Sequence, residues 1–296
     1  MMERRHCHSP LLIIYMACAL IAVPGWVLAT TADDIAAGDR AWAQRAEGQR
    51  GSRAAAEPIQ RAIDAYTRAL AADPENLNAR WKLLRAFYFK GEFVLDDDKE
   101  RLALYQTGRD IAEAGRLQIE SAYGLDKGMF NLKPTAVADA VGDQPAVAEF
   151  CFWAAANWGL WGQYSGKIIS ALTGLVNRLR QFAEIMVLMD ESVENGGGHR
   201  LLGRLHTRVP RIPFITWWVD RDLAISELRL SLQVAPDSLL SKIFLAEALL
   251  KFRPEEKPEA LNLLREISES DPDPDRLVED TRVIEDTRLL LAANLQ

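Results

Sequence analysis

Three segments of the chain repeat one spacing of residue types, and this spacing restricts the fold more than any other feature. A small residue is followed by a large one at offset 4, by another residue at offset 7 and by proline at offset 12. The matches are Ala62, Tyr66, Ala69 and Pro74; Ala224, Leu228, Ser231 and Pro236; and Ala260, Leu264, Ile267 and Pro272. The small residue lets a second helix approach, the large one fills the groove between the helices, and proline ends the helix. The spacing therefore predicts helices that pack in pairs.

An apolar segment with helical spacing follows each proline. These segments are residues 77–93, 239–252 and 277–295. The pattern resembles the second helix of a tetratricopeptide repeat, and the last two matches are 36 residues apart, close to the usual period of roughly 34. We therefore predict an all-α, tetratricopeptide-like helical-hairpin solenoid in a single domain, residues 30–296. Its repeat-like units lie near 58–93, 220–252 and 257–295, and an irregular helical insert occupies 96–218.

The insert opens on three consecutive aspartates. Asp96, Asp97 and Asp98 precede a segment of helical periodicity that reaches Tyr123. Carboxylates are favoured at a helix start because they accept hydrogen bonds from its free N–H groups. A calcium loop would need further spaced acidic ligands and a closing glutamate, which the sequence lacks. We predict a capped helix, then a long connection with one short helix at 134–141.

Residues 150–164 carry the densest aromatic sequence of the insert. On a helix of about 100° per residue, one stripe holds aromatic side chains and a single amide, and another holds only alanine and glycine. The stripes are Phe150, Trp153, Asn157, Trp161 and Tyr164, and Ala155, Gly159, Gly162 and Gly166. A second helix is expected against the small stripe, and the amphipathic segment 170–193 is the candidate. The aromatic stripe then fills the core or lines a cavity.

The first 29 residues have the pattern of an export signal. A basic start precedes the apolar segment 11–27, and Val27-Leu28-Ala29 supplies a signal-peptidase site. A retained membrane anchor is the alternative, but Pro24 and Gly25 weaken a spanning helix. The residues around Cys18 do not fit a lipoprotein site. We predict a signal peptide over 1–29, a periplasmic protein and no lipid anchor.

Composition and motif content exclude several classes of function. The net charge of −7 argues against nucleic acid as a partner, because phosphate contacts need a basic face. Without the leader, Cys151 is the single cysteine, so an internal disulfide is impossible. No nucleophile with an adjacent base and no paired carboxylates can be recognised. We predict that the protein is not an enzyme and uses no cofactor.

The segment 196–208 carries glycines, histidines and arginines. Gly196-Gly197-Gly198 lacks the Lys-Ser/Thr ending of a phosphate-binding loop, and we predict that it ends the preceding helix in a tight turn. His199 and His206 can share a helix face, but no third zinc ligand stands at a recognisable spacing. The arginines beside them form a stripe that suits an acidic partner or an anionic group of a ligand. A solvated helix face is the simpler interpretation of that stripe.

Five of the eight tryptophans lie between positions 153 and 218. They either fill space between irregular helices or line a pocket for an apolar ligand, with Asn157 as its polar contact. The candidate ligand-binding residues are Trp153, Asn157, Trp158, Trp161, Trp217 and Trp218. The candidate partner-binding residues are Arg200, Arg204 and Arg208. No metal site is predicted.

Taken together, these features resemble the T-component of TRAP transporters, the TatT-like family. The resemblance covers most of residues 58–272. It rests on the first repeat match, the aromatic segment 152–159, the glycine-rich segment 196–205 with two prolines after it, and the repeat helix at 236–250.

The resemblance implies a periplasmic accessory protein that binds the solute-binding protein of a TRAP system. It also implies a lipid or other hydrophobic small molecule as ligand, a homotrimer, and a pore or cleft through each protomer. The alternative is a periplasmic scaffold that binds proteins and holds no ligand. The first hypothesis expects residues 153–161 and 217–218 to line one continuous cavity, whereas the second expects them in the core.

Overall fold

The computed structural model describes residues 30–166 and 174–295. The predicted leader, 1–29, and the start of the predicted helix at 170–193 lie outside these ranges. The described residues form twelve α-helices and no strand, so the all-α prediction is confirmed. The helices are α1 Thr31–Ala43, α2 Ala56–Ala72, α3 Leu77–Phe93, α4 Asp98–Ala122, α5 Pro134–Val141, α6 Pro145–Ser165, α7 Leu175–Met189, α8 Gly197–Arg208, α9 Arg221–Val234, α10 Leu239–Phe252, α11 Lys257–Glu269 and α12 Leu277–Asn294.

The three recurring patterns lie at the ends of α2, α9 and α11, and each of these helices packs on the helix that follows it. All nine side chains that precede the prolines are fully buried. Pro74, Pro236 and Pro272 lie in the turns just beyond the helix ends. Asn76 caps α3 by accepting a hydrogen bond from Ala79 N at 3.0 Å, and Ser238 caps α10. Small, large and proline positions thus act as the spacing predicts.

The start of the insert also follows the prediction. Asp97 is the N-cap of α4, where its Oδ1 accepts hydrogen bonds from Lys99 N at 2.9 Å and Glu100 N at 3.0 Å. The short helix α5 spans the predicted residues 134–141. Carboxylate capping at a helix start satisfies backbone donors that have no partner within the helix.

Helix α6 is the centre of the insert and packs against α3, α4 and α7. Gly159 faces α7, where an added Cβ would lie 3.6 Å from Leu179 Cδ1. The tightest approach is on the opposite side. There Gly108 and Gly115 of α4 leave room for Asn157 and the Phe150 ring. The aromatic stripe of α6 therefore packs against glycines of α4. The sequence of α6 alone does not indicate this contact.

The glycine run does not end a helix, so that prediction is wrong. Helix α7 ends at Met189, and Gly197 begins α8. A Cβ at Gly197 would lie 2.7 Å from the Phe152 ring, and one at Gly198 would lie 2.6 Å from Val187. The two glycines thus allow α8 to pack closely on α6 and α7.

The last helix returns to the first ones and closes the chain of packed helices into a ring. Val278 of α12 is fully buried in one core cluster with Ile59 and Phe93. Arg45, just after α1, pairs with Glu279 at 3.0 Å. Six helices, α1, α3, α6, α8, α10 and α12, contribute side chains to a cleft inside this ring. None of the described helices is long and apolar enough to cross a membrane.

Candidate ligand-binding cleft

The cleft inside the ring has a volume of about 400 Å³ and two kinds of wall. Its aromatic lining consists of Trp42, Tyr88, Phe89, Phe93, Phe152, Trp153 and Phe244. Its charged lining consists of Arg45, Arg85, Arg200, Arg276 and Arg282 with Glu92, Glu194, Glu279 and Asp286. The volume lies within the range of small-molecule pockets, roughly 300–1,000 Å³. Apolar surface and a few charged groups together suit a ligand with an apolar body and a charged end.

The aromatic wall is a packed assembly that the helices position in pairs. Trp153 of α6 lies 5.4 Å from the Tyr88 ring of α3 and 4.9 Å from Phe152. Trp42, from α1, meets Phe89 edge-on at 5.6 Å. Such edge-to-face and tilted contacts stabilise the rings in fixed orientations. The wall is therefore largely formed before any ligand enters.

Arg85 is one of three arginines of the cleft, with Arg200 and Arg282, that form no ion pair with a carboxylate of the described residues. Its guanidinium stacks over Trp42 at 4.0 Å and Trp81 at 5.0 Å. Its buried Nε has no hydrogen-bond partner among the described residues, although its side chain is hydrogen-bonded to Tyr66 and attracted by Glu194. Burial lowers the pKa of Arg85, but an arginine stays protonated at neutral pH. An anionic group in the cleft would provide the ion-pair partner that Arg85 lacks among the described residues.

Arg200 has a structural function as well as a place in the cleft wall. It is 6% exposed, and its guanidinium donates to Glu194 O at 2.8 Å, Asn195 O at 2.9 Å and Ser241 Oγ at 3.3 Å. Burial, together with Arg276, lowers its pKa to about 10. The two carbonyl acceptors belong to a turn of left-handed residues, with φ of 48° at Glu194 and 56° at Asn195. Arg200 thus fastens an unfavourable turn.

The predicted arginine stripe divides into three environments. Arg200 is buried, so it is not available to the surface of a partner. Arg204 pairs with Glu247 and stacks over Phe244 at 4.0 Å. Arg208, the most exposed, pairs with the same Glu247 at 3.0 Å. The solvated-face interpretation therefore holds only for Arg208, because α10 covers the other two.

Asn157 is a core residue and not a ligand contact. Its side chain is fully buried, and its Nδ2 donates to Leu84 O and Trp153 O, both at 2.9 Å. Its Oδ1 faces Gly108. The side-chain amide of Asn157 thus joins α3 to α6, and Gly108 of α4 packs against it.

Trp158 and Trp161 lie in a second, smaller pocket of about 230 Å³. Trp158 Nε1 donates to Arg109 O at 3.3 Å, and Trp161 Nε1 donates to Gln106 Oε1 at 2.7 Å. Arg109 covers the Trp161 ring at 4.4 Å. These two tryptophans therefore form the contact between α6 and α4.

Trp217 and Trp218 line neither the central cleft nor this smaller pocket. Trp217 is 66% exposed, whereas Trp218 packs edge-on against His206 at 5.3 Å and donates from Nε1 to Asn177 Oδ1 at 2.8 Å. Of the six candidate ligand-binding residues, only Trp153 lines the central cleft. Among the described residues, the six line no single continuous cavity.

Each histidine of α8 has its own partner. His199 Nδ1 lies 2.7 Å from Glu227 Oε2, and this contact raises the His199 pKa. His206 Nδ1 accepts from Asp220 N at 3.0 Å, and burial lowers the His206 pKa. The described residues contain no group of three or more His, Cys, Asp or Glu side chains that could hold a metal ion.

Most of the cleft was missed from the sequence. The sequence places Arg85, Tyr88 and Phe89 only in the helical segment 77–93 and Arg282 only in the helical segment 277–295. Arg85 is one of four cations in the segment 77–93, so its charge alone did not single it out. The segments that meet in the cleft are far apart in the chain, and spacing within one helix does not show that meeting.

Glu149, one turn before Trp153, provides a prediction on pH. Burial and the nearby Glu194 raise its pKa to about 7, against the attraction of Arg85. The raised value means that folding favours the protonated form, so its contribution to stability is present below about pH 4.5 and lost as the pH rises to about 7. We expect Glu149→Gln to exceed the wild type in unfolding free energy by about 1–2 kcal/mol at about pH 8, and to match it at about pH 4.

The measurement is urea unfolding of both proteins at several pH values. The exposed Glu47→Gln, in the turn after α1, is the control and should follow the wild type throughout. A difference between Glu149→Gln and the wild type that is constant with pH would contradict the assignment.

No protein-family model matches the chain, and no curated protein is significantly similar to it in sequence.

Proposed function

We propose that the protein is a non-enzymatic, periplasmic accessory component of a TRAP-type transport system that binds a hydrophobic ligand with an acidic end group. The observation that carries this proposal is the cleft inside the ring, where seven aromatic side chains meet an arginine without an ion-pair partner among the described residues. The helices are proposed to form a tetratricopeptide-like solenoid with the irregular insert α4–α8. The nine fully buried repeat positions support that arrangement.

The ligand class follows from the two kinds of wall. Rigid aromatic surface is suited to an apolar body, because burial of that body releases water from both surfaces. A carboxylate fits the arginine fork by paired, charge-assisted hydrogen bonds. Arg85 lies against Trp42, so both contacts are available at one place. A fatty acid or an aromatic acid has this combination.

The partners come from the resemblance to the TatT-like family. They are a periplasmic solute-binding protein and two further copies of the chain in a trimer. Neighbouring reading frames that encode a solute-binding protein and a large membrane permease would support this part. A scaffold that binds proteins and holds no ligand is the competing function.

Extraction of the purified protein with organic solvent, followed by mass spectrometry, separates the two functions. The transport proposal expects an acidic, apolar compound in stoichiometric amount. A protein that carries no compound, and that also fails to bind added acid, would favour the scaffold.

Binding of a fluorescent fatty acid with a dansyl group tests the position of the ligand. We expect Arg85→Gln to weaken binding about ten- to a hundredfold, because one charge-assisted contact contributes about 1.5–3 kcal/mol. The matched control is Arg265→Gln, an arginine of α11 whose hydrogen bond is to Asn262 of the same helix. It should bind like the wild type. Equal affinities for both variants, with unchanged circular dichroism, would place the ligand elsewhere.

A further inference from the structure

The loop between α8 and α9 displays apolar side chains to solvent. Phe214 is 99% exposed, Trp217 66%, Ile215 51% and Ile212 40%. Apolar residues that are exposed one by one are normal, but four within six positions form a patch. Such a patch indicates contact with another apolar phase.

Hydrogen bonds of Thr216 fix the conformation of this loop. Thr216 is buried, and its Oγ1 accepts from Ile212 N at 2.8 Å and donates to Pro210 O at 2.6 Å. Thr216 N also donates to Ile212 O at 2.9 Å. Trp218, on the other side, is held by its contacts with His206 and Asn177. Thr216 thus fixes a turn in which residues 210–215 and Trp217 are exposed.

Phe214 stands at the tip of this turn in a conformation that few bulky residues adopt. Its φ is 64°, in the left-handed region. A non-glycine residue held there costs on the order of 1 kcal/mol or more, and such strain is concentrated at functional sites. The unfavourable backbone conformation and the full exposure of the ring occur at one residue.

Cations lie in the same loop as the apolar patch and at the base of that loop. Residues 207–219 include Arg211 and Arg208, the second of which pairs with Glu247 of α10, and no Asp or Glu, although the chain carries a net charge of −7. A cleft of about 560 Å³ at the base of the loop is lined by Arg211, Arg221, Lys251 and Arg253.

The carboxylates of that cleft are already engaged. Asp222 pairs with Arg253, and Asp220 caps α9 by accepting from Asp222 N and Leu223 N. Arg211 and Arg221 form no ion pair with a carboxylate of the described residues. Cationic groups thus face the solvent beside the apolar tip.

We propose that residues 210–218 are a membrane-surface anchor whose apolar tip enters an anionic lipid bilayer while the cationic cleft at its base binds the headgroups. Aromatic side chains favour the bilayer interface, and each cation near an anionic surface adds attraction. The occupant is a bilayer, because Phe214 is fully exposed at the tip and the cationic groups at the base of the loop complement anionic lipid. This contact is reversible and does not use a covalent lipid. It would hold the protein beside a membrane permease.

Sedimentation of the purified protein with extruded vesicles tests the anchor. We expect binding to vesicles of phosphatidylglycerol and phosphatidylcholine, little binding to phosphatidylcholine alone, and a decrease with added salt. The double substitution of Phe214→Ser and Trp217→Ser should reduce the bound fraction about tenfold, since it removes most of the buried apolar area. Arg211→Glu should weaken binding to the anionic vesicles. Neither result depends on a ligand in the central cleft.

The control is Leu289→Ser, which removes a leucine of α12 that is 72% exposed; it should bind vesicles like the wild type. Equal sedimentation of the double variant and the wild type would overturn the proposal. A wild-type protein that sediments with neither kind of vesicle would also overturn it. Light scattering that shows loss of an oligomer in the double variant, without vesicle binding by the wild type, would assign the loop to a second copy.

Discussion

Replacement of Arg200 by methionine is expected to lower the free energy of unfolding by about 2–3 kcal/mol, because it leaves buried acceptors without donors. Two of these acceptors, Glu194 O and Asn195 O, belong to the left-handed turn before α8. The third, Ser241 Oγ, lies on α10. Relief from burying a cation offsets part of the loss, so the net effect stays below the sum of three hydrogen bonds. Chemical denaturation measures it.

Arg208→Met is the matched control, since it removes the same group from the same predicted stripe. Its side chain is 58% exposed, and Glu247 keeps Arg204 as a partner. The expected loss is less than about 0.5 kcal/mol. Equal losses for the two variants would show that Arg200 does not fasten the turn.

Gly115→Ala is expected to destabilise the protein by about 1–3 kcal/mol through overpacking. A Cβ at this position would overlap the Phe150 ring, which is fully buried, and the Arg80 side chain. Arg80 cannot easily move away, because it donates to Ile111 O at 3.2 Å and to Pro74 O at 2.5 Å. The core between α4 and α6 would have to open.

Gly159→Ala, in α6, is the control for Gly115→Ala, because it adds the same methyl group at a helical position with more space. Its Cβ would meet only Leu179 Cδ1, at 3.6 Å, an ordinary contact. The gain in helix propensity, about 1 kcal/mol for Gly to Ala, should then appear as equal or higher stability. Thermal and urea unfolding of both variants test the pair. A stable Gly115→Ala protein would show that α4 and α6 tolerate a wider separation.

These two pairs show where sequence reasoning reached its limit. Arg200 and Arg208 belong to one stripe at a spacing of four, and both glycines belong to helices rich in small residues. Spacing identifies a shared face, but it does not reveal which neighbour covers that face. Whether an arginine fastens a turn or meets water depends on α10 and the turn at 194–196, which are separate segments.

The sequence by itself determined the helices and their pairing. Small and large residues at fixed offsets, proline after each match and Asp97 at a helix start act over a few residues, so local spacing is enough to predict them. Only the tertiary structure decided which surfaces meet. Three contacts join distant segments: α12 pairs with Arg45, Asn157 packs on Gly108, and Arg85 and Trp153 line the same cleft. Such contacts depend on the path of the whole ring, because each residue's environment comes from helices that lie elsewhere in the chain.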